Sequence, residues 1–157
     1  MAAALHRDMI MMGLHNALVA PGAVSMLGTP VDLNQLTTDA YVVAGIADHI
    51  SPWQACYRSA RLLGVKNVRF VLSSSGHIAS LVNPPGNPRA RFQVGGVDEP
   101  DPAFWAESAE QQSDSWWPDF VSWLGVRSGK KKDAPDTLGG AGMVPLEPAP
   151  GSYVREH

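Results

Sequence analysis

The apolar positions of the chain fall into segments with different periods. Leu5, Met9, Met12 and Leu14 stand at near-helical spacing within residues 2–18, with Ile10 and Met11 between them. This predicts an amphipathic helix, which Pro21 and Gly22 end. A second short pattern occupies residues 23–27, and residues 28–33 read as an irregular connection. Tyr41 to Ile46 is an unbroken apolar run. A strand covered on both faces by helices has that pattern in a parallel sheet. Trp53, Cys56, Tyr57, Ala60 and Leu63 then recur at helical spacing, with Pro52 where the first turn tolerates proline and Gly64 suited to the C-cap. Val68 to Leu72 predicts a second strand, which runs into Ser73, Ser74, Ser75, Gly76 and His77. Ile78 to Val82 is a short apolar continuation. The crossover between the strands, residues 47–67, is about 21 residues long. A parallel connection needs a dozen or more, so the segment reads as one right-handed βαβ unit.

Beyond it the pattern weakens. Asn83 to Pro88 is a rigid polar loop, and nothing is periodic from there to Pro102. Residues 103–112 read as a short helix. Trp116, Trp117, Phe120, Trp123 and Leu124 read as another, with Pro118 near its start. Residues 129–157 contain nine Gly or Pro in 29, together with Lys130, Lys131 and Lys132, and read as an extended tail. There is no internal repeat. The expected division is residues 1–128 as the structured part and 129–157 as a Gly/Pro-rich tail.

Composition narrows the class. The chain has 157 residues, 45% hydrophobic and 17% charged, and the charged share is below the usual quarter. A lightly charged chain buries much surface or carries surface meant for a partner. A net charge of -3 gives no reason to expect nucleic acid. One cysteine excludes an intramolecular disulfide framework and a Cys-rich zinc site. No apolar run reaches the roughly 18 residues needed to span a bilayer. His6, Arg7 and Asp8 interrupt the apolar start where a signal peptide needs continuity, so a cytoplasmic protein is expected.

Two titratable residues stand directly after the two strands, Asp48 and His77. Ligands of open α/β sheets bind beyond the carboxyl ends of strands. An acid followed by a histidine is also the second half of a nucleophile–acid–base triad in α/β-hydrolase order. The imidazole would act as base while the carboxylate holds its tautomer and stabilises the imidazolium. Gly76 lets the backbone turn sharply before His77. The bland alternative is that Asp48 is an N-cap for the helix opening near Pro52, and that His77 is a satisfied polar residue.

The nucleophile is harder to find. No Gly-x-Ser-x-Gly elbow or cysteine variant occurs in the sequence. Cys56 lies mid-helix and reads as a small buried hydrophobe. Ser73, Ser74 and Ser75 read as loop groups bonding local backbone. His49, beside Asp48, could pair with His77 toward a metal, but no third ligand has usable spacing, so no metal is expected. The Trp116, Trp117 and Trp123 cluster reads as core or as an interface. Lys130 to Lys132 reads as a solvated run.

These residues carry a resemblance. Ala44 to Trp53, containing Asp48, His49, Ile50, Ser51 and Pro52, resembles the acid loop of polyhydroxyalkanoate synthases. Phe70 to Ile78, followed by Asn83 to Pro88, resembles their histidine loop. Asp114 to Trp117 and Pro148 to Val154 resemble their C-terminal landmarks. The likeness runs from about Ala3 to Arg155, four motifs in one order.

It implies the C-terminal part of an α/β-hydrolase-type catalytic domain: a partial α/β fold, the last βαβ unit of a mostly parallel sheet plus C-terminal helices. It implies an acyltransferase that polymerises hydroxyacyl-coenzyme A thioesters. A cysteine on a lipase-box-like elbow carries the growing chain, His77 is the base, Asp48 the acid, and His49 a pocket candidate. The elbow has no counterpart here, its region lying ahead of Met1, and Cys56 does not inherit its role. Hydroxyacyl-CoA and the polyester chain are the implied ligands, with no cofactor. The implied partner is an N-terminal synthase portion or a second copy, and the implied location is the cytoplasm or the polyester granule surface.

Two classes of function follow. One is a synthase portion that acts only with a nucleophile-bearing partner. The other is a non-enzymatic remnant, or a synthase- or granule-binding module in which Asp48 and His77 are idle. A serine hydrolase is the poorer reading, since no serine elbow exists.

Overall fold

The computed structural model describes residues 2–137, 139–140 and 142–156. Two compact units divide the chain, Met1–Trp123 and Leu124–His157. The first begins with helix α1 (Ala3–Leu14), which has no buried residue. A one-turn 3-10 helix, Ala17–Val19, follows. Strands β1 (Ser25–Met26) and β2 (Thr29–Pro30) then form a small antiparallel hairpin. Its two turn residues, Leu27 and Gly28, both have positive φ, the geometry that matches the twist of a two-residue hairpin. The region expected to be irregular is therefore partly ordered.

Strand β3 (Ala40–Gly45), helix α2 (Trp53–Arg61) and strand β4 (Val68–Ser73) are the expected βαβ unit. Their register pairs Ala40 with Val68 and Gly45 with Ser73, in parallel. Both faces of the two strands are covered. On one face Ala44, Phe70 and Leu72 pack with Tyr57 and Ala60 of α2 and with Trp105. On the other, Val71 packs with Phe92, Val94 and Trp116, and Tyr41, Val43 and Phe120 join them. Phe70 and Val71 point to opposite faces and both are fully buried. Burial of such side chains contributes about 1.5–3 kcal/mol each. This is the physical content of the unbroken apolar run: each alternate residue has a core to enter.

Helix α3 (Ala79–Val82) follows the histidine loop. Strand β5 (Arg91–Gly95), helix α4 (Pro102–Ser108), strand β6 (Glu110–Ser113) and helix α5 (Trp117–Gly125) complete the order. The sheet runs β3-β4-β5-β6, with β5 and β6 both joining antiparallel. The α/β class and the βαβ unit agree with the sequence reading; β5 and β6 were not anticipated. The helix expected over 103–112 is shorter. Asp101 caps it by accepting from the Ala103 N–H at 2.8 Å, with Pro102 in its first turn. It stops at Ser108, because Ala109 is extended and residues 110–113 pair with β5.

Gly64 also has a different reason from the one expected. Helix α2 ends at Arg61 with Leu62 as its cap. A Cβ on Gly64 would stand 1.8 Å from the carbonyl oxygen of Asn34, so close backbone approach demands glycine there. In the second unit, Gly140 and Met143 form an isolated antiparallel bridge. Glu147 accepts from the N–H and Oγ–H of Ser152, and a 3-10 turn spans Tyr153–Arg155. No helix among the described residues is long and apolar enough to cross a membrane.

Candidate functional site

β3 and β4 lie side by side and end together, so the turns that follow them are neighbours. Backbone bonds tie the turns directly. The Ile46 N–H donates to the Ser73 carbonyl at 2.9 Å, and the Ala47 N–H to the Ser75 carbonyl at 3.1 Å. Gly45 permits this contact. A Cβ there would lie 2.7 Å from Ser80 Oγ and 3.1 Å from the Ser75 carbonyl oxygen. Ser75 itself has a φ of 85°, a left-handed conformation that non-glycine residues rarely hold. Such strain concentrates where a loop must aim a side chain.

The residue aimed is His77. Its Nδ1 stands 2.8 Å from Oδ2 of Asp48. The Asp48 side chain is only 8% exposed, against 42% for His77. The other carboxylate oxygen, Oδ1, accepts from the backbone N–H groups of Ile50 and Ser51, each at 2.9 Å. The bond from Ser51 N–H, with His77 and Ile50 adding to it, holds the Asp48 carboxyl down to about 2. Asp48 is therefore an acceptor only. It fixes the proton of a neutral His77 on Nδ1, leaving the Nε2 lone pair on the opposite side of the ring. Asp48 is not the cap of α2, whose N-cap is Pro52. Its capping role is confined to its own turn and uses one oxygen.

His77 lies at the edge of an open groove of about 620 Å³, lined also by Ile78, Leu81, Val82, Pro84, Pro85 and Trp117. The groove is apolar except at the imidazole. Ile46, Ile50, Ile78, Leu81 and Val82 are all exposed around the two turns. An apolar collar around a titratable pair is unusual for a surface in contact with water.

His49 is exposed in the turn beside Asp48; the structure joins Asp48 to His77 and leaves His49 to one side. Cys56 stays within α2, its thiol 3.7 Å from the Ser51 carbonyl. Burial, and then the charge of Asp48, push that thiol up, the opposite of an activated nucleophile. No group of three or more His, Cys, Asp or Glu among the described residues could hold a metal ion.

No family model matches the chain. Individual proteins do. It is 51% identical over 154 residues to poly(3-hydroxyalkanoate) polymerase 1 of Ectopseudomonas oleovorans, covering 98% of this chain and 27% of that protein. It is 46% identical to polymerase 2 of the same organism, covering 97% of this chain and 27% of that protein. It is 42% identical to the poly(3-hydroxyalkanoate) polymerase subunit PhaC of Cupriavidus necator, covering 90% of this chain and 24% of that protein. The chain matches a C-terminal portion of a polyhydroxyalkanoate synthase. It spans about a quarter of the length of these relatives.

Sequence reasoning passed over the groups that hold the pair in place. Gly45 carried no signal beyond its place inside an apolar run. Ser80 lay within the short apolar continuation from Ile78 to Val82 and was not singled out, yet it is 1% exposed. Asp114 to Trp117 was legible as a landmark and as an aromatic cluster, but not as the set of contacts described below.

Proposed function

We propose that this chain supplies the acid–base pair for a thioester-polymerising acyltransferase whose nucleophilic cysteine sits on another segment. The observation that carries the proposal is the 2.8 Å contact between His77 Nδ1 and Asp48 Oδ2 at the ends of two adjacent parallel strands.

In this reading His77 Nε2 removes the proton from a cysteine thiol brought to the groove. The thiolate attacks the carbonyl carbon of a hydroxyacyl-CoA thioester. The CoA thiolate leaves and takes the proton back from the imidazolium, and the acyl group remains on the cysteine. The same base then takes the proton of an incoming hydroxyl, which attacks the enzyme thioester; the cysteine thiolate leaves, takes that proton from the imidazolium, and the ester chain is one unit longer. Asp48 holds the Nδ1 proton in place and stabilises the imidazolium in both steps. His49, exposed in the acid turn, is the residue we propose meets an approaching CoA moiety or partner.

The collar of Ile46, Ile50, Ile78, Leu81 and Val82 supports a macromolecular cover over the site. So does the outer side of β3, which stands at the end of the strand order among the described residues, an edge of the kind that pairs with another chain. An N-terminal synthase portion is the occupant we favour, with a second copy as the alternative arrangement. The setting is cytoplasmic, at or near the polyester granule.

The test is hydroxyacyl-CoA turnover by the purified chain, alone and after mixing with a polypeptide that carries the cysteine elbow. The proposal expects no CoA release by the chain alone and release by the mixture, abolished by His77→Ala. Release by the mixture that is indifferent to His77→Ala and Asp48→Ala would favour the non-enzymatic reading, in which the chain is a remnant or a binding module.

A further inference from the structure

Four consecutive residues, Asp114 to Trp117, each bond to the segment 80–86 that follows His77. The Asp114 carboxylate accepts from the Gly86 N–H at 2.8 Å. Ser115 Oγ donates to the Asn83 carbonyl at 2.6 Å. The indole N–H of Trp116 donates to the Ser80 carbonyl at 2.8 Å, and that of Trp117 to the Leu81 carbonyl at 2.9 Å. The two rings are stacked, with centroids 4.3 Å apart.

The need for such contacts follows from the size of α3. Ala79–Val82 is a single turn, too short to satisfy its own carbonyls, and the last four carbonyls of any helix lack partners within it. Two of them are filled here by indole donors. Asp114 adopts a φ of 74° to reach across, and its carboxylate recovers the cost by accepting from the Ser115 N–H as well as from Gly86.

Ser80 links these contacts to the site. Its carbonyl accepts from Trp116 and also from Ser73 Oγ at 3.2 Å, the last residue of β4. Its N–H donates to the Gly76 carbonyl at 2.9 Å, and its Oγ lies 3.5 Å from the His77 carbonyl. His77 is thus strung between the end of β4 and an anchored Ser80, with the six residues Ser74 to Ala79 between them. With both ends fixed, the loop has little freedom to turn the imidazole away from Asp48.

We infer that Asp114–Trp117 is a positioning clamp that sets the orientation of His77 toward Asp48 by fixing Ser80 and the loop to Gly86. The inference deepens the acid–base reading above and rests on it for its functional meaning. Trp116 and Ser115 act through Ser80 and the loop, not on substrate.

The test reads the His77 tautomer in the full chain labelled with 15N-histidine, with His77→Gln assigning the signal by its disappearance. Trp116→Phe keeps an aromatic ring and removes the N–H donor together with part of the indole's bulk, a loss that the Trp105→Phe control shares. Ser115→Ala removes the Oγ bond to Asn83. Trp105→Phe is the control, since its indole N–H donates to the Gly96 carbonyl at 2.7 Å in the other core and its loss is an equivalent structural injury. In the unaltered chain the neutral ring is expected as a single Nδ1–H tautomer. Trp116→Phe and Ser115→Ala are expected to give a mixture with the Nε2–H form, while Trp105→Phe stays unmixed. An unmixed tautomer in both clamp variants overturns the inference, as does equal mixing in Trp105→Phe. Should Trp116→Phe fail to fold, Ser115→Ala decides alone. Because the readout needs no turnover, an inactive mixture with a clamped tautomer would count against the acid–base reading and leave the clamp standing.

Discussion

Asp48 divides its carboxylate between two tasks: Oδ2 stands 2.8 Å from Nδ1 of His77, and Oδ1 accepts from the N–H groups of Ile50 and Ser51. Asp48→Asn separates them. The amide oxygen can keep the turn bonds, but the amide nitrogen then faces His77 as a donor and forces the proton to Nε2. The expected result is a nearly unchanged melting temperature and a fall in turnover of the complemented chain on the order of 10⁴-fold, the size seen when a triad acid holds the wrong tautomer. Turnover within about tenfold of the unaltered chain would show that Asp48 serves the turn alone.

The pH dependence of that contact has a definite sign. Asp48 is held at about 2, below its ordinary 3.8. A carboxyl lowered on folding stabilises the fold above its unfolded value, and the contribution is lost as pH falls through the folded one. The site is therefore expected to be intact above about pH 4 and to come apart toward about pH 2. The 13C shift of the Asp48 carboxyl during acid titration checks this. A midpoint near the ordinary value would mean that neither His77 nor the turn holds the charge.

Glycines separate by what a side chain would meet. Gly45→Ala puts a Cβ against Ser80 Oγ and the Ser75 carbonyl, and it should cost about 1–3 kcal/mol of stability while disturbing the histidine loop. Gly13→Ala, in α1 with nothing within 4 Å of the new Cβ, should be neutral or add about 0.5–1 kcal/mol. Chemical denaturation of the two variants would show the opposite signs. Equal effects would mean that the two turns are not packed as described.

The outer side of β3 and the exposed apolar residues of α1, Leu5, Met9, Ile10, Met11 and Leu14, predict association. Light scattering across a concentration series should show the chain alone as a concentration-dependent oligomer, and a defined complex once a complementing synthase portion is present. A monodisperse monomer with a cooperative melt would contradict this.

The sequence displayed those parts of the fold whose pattern and packing coincide. β3, β4 and α2 turn toward the two cores most of the residues that their periods single out, with Ala44, Phe70, Val71, Leu72, Tyr57 and Ala60 buried, and the acid and histidine stand where a parallel pair must end. β6 could not be read that way. Glu110, Gln111, Gln112 and Ser113 have no apolar face, and they are a strand only because Arg91 to Val94 pairs with them; such pairing outweighs local preference. β5 did alternate, with Phe92 and Val94 buried, but over too short a span to stand out. The role of Ser80 was invisible for a related reason: its two partners on the carbonyl, Ser73 and Trp116, are 7 and 36 residues away.

The central claim is that His77, held by Asp48, activates a thiol carried by another segment. The most direct measurement is the alkylation rate of that segment's elbow cysteine between pH 6 and pH 9, roughly the range in which imidazole and thiol exchange a proton, with and without this chain. The account predicts that the unaltered chain extends fast alkylation to lower pH and that His77→Ala and Asp48→Asn remove the extension. The same profile with the unaltered chain and with His77→Ala would contradict it.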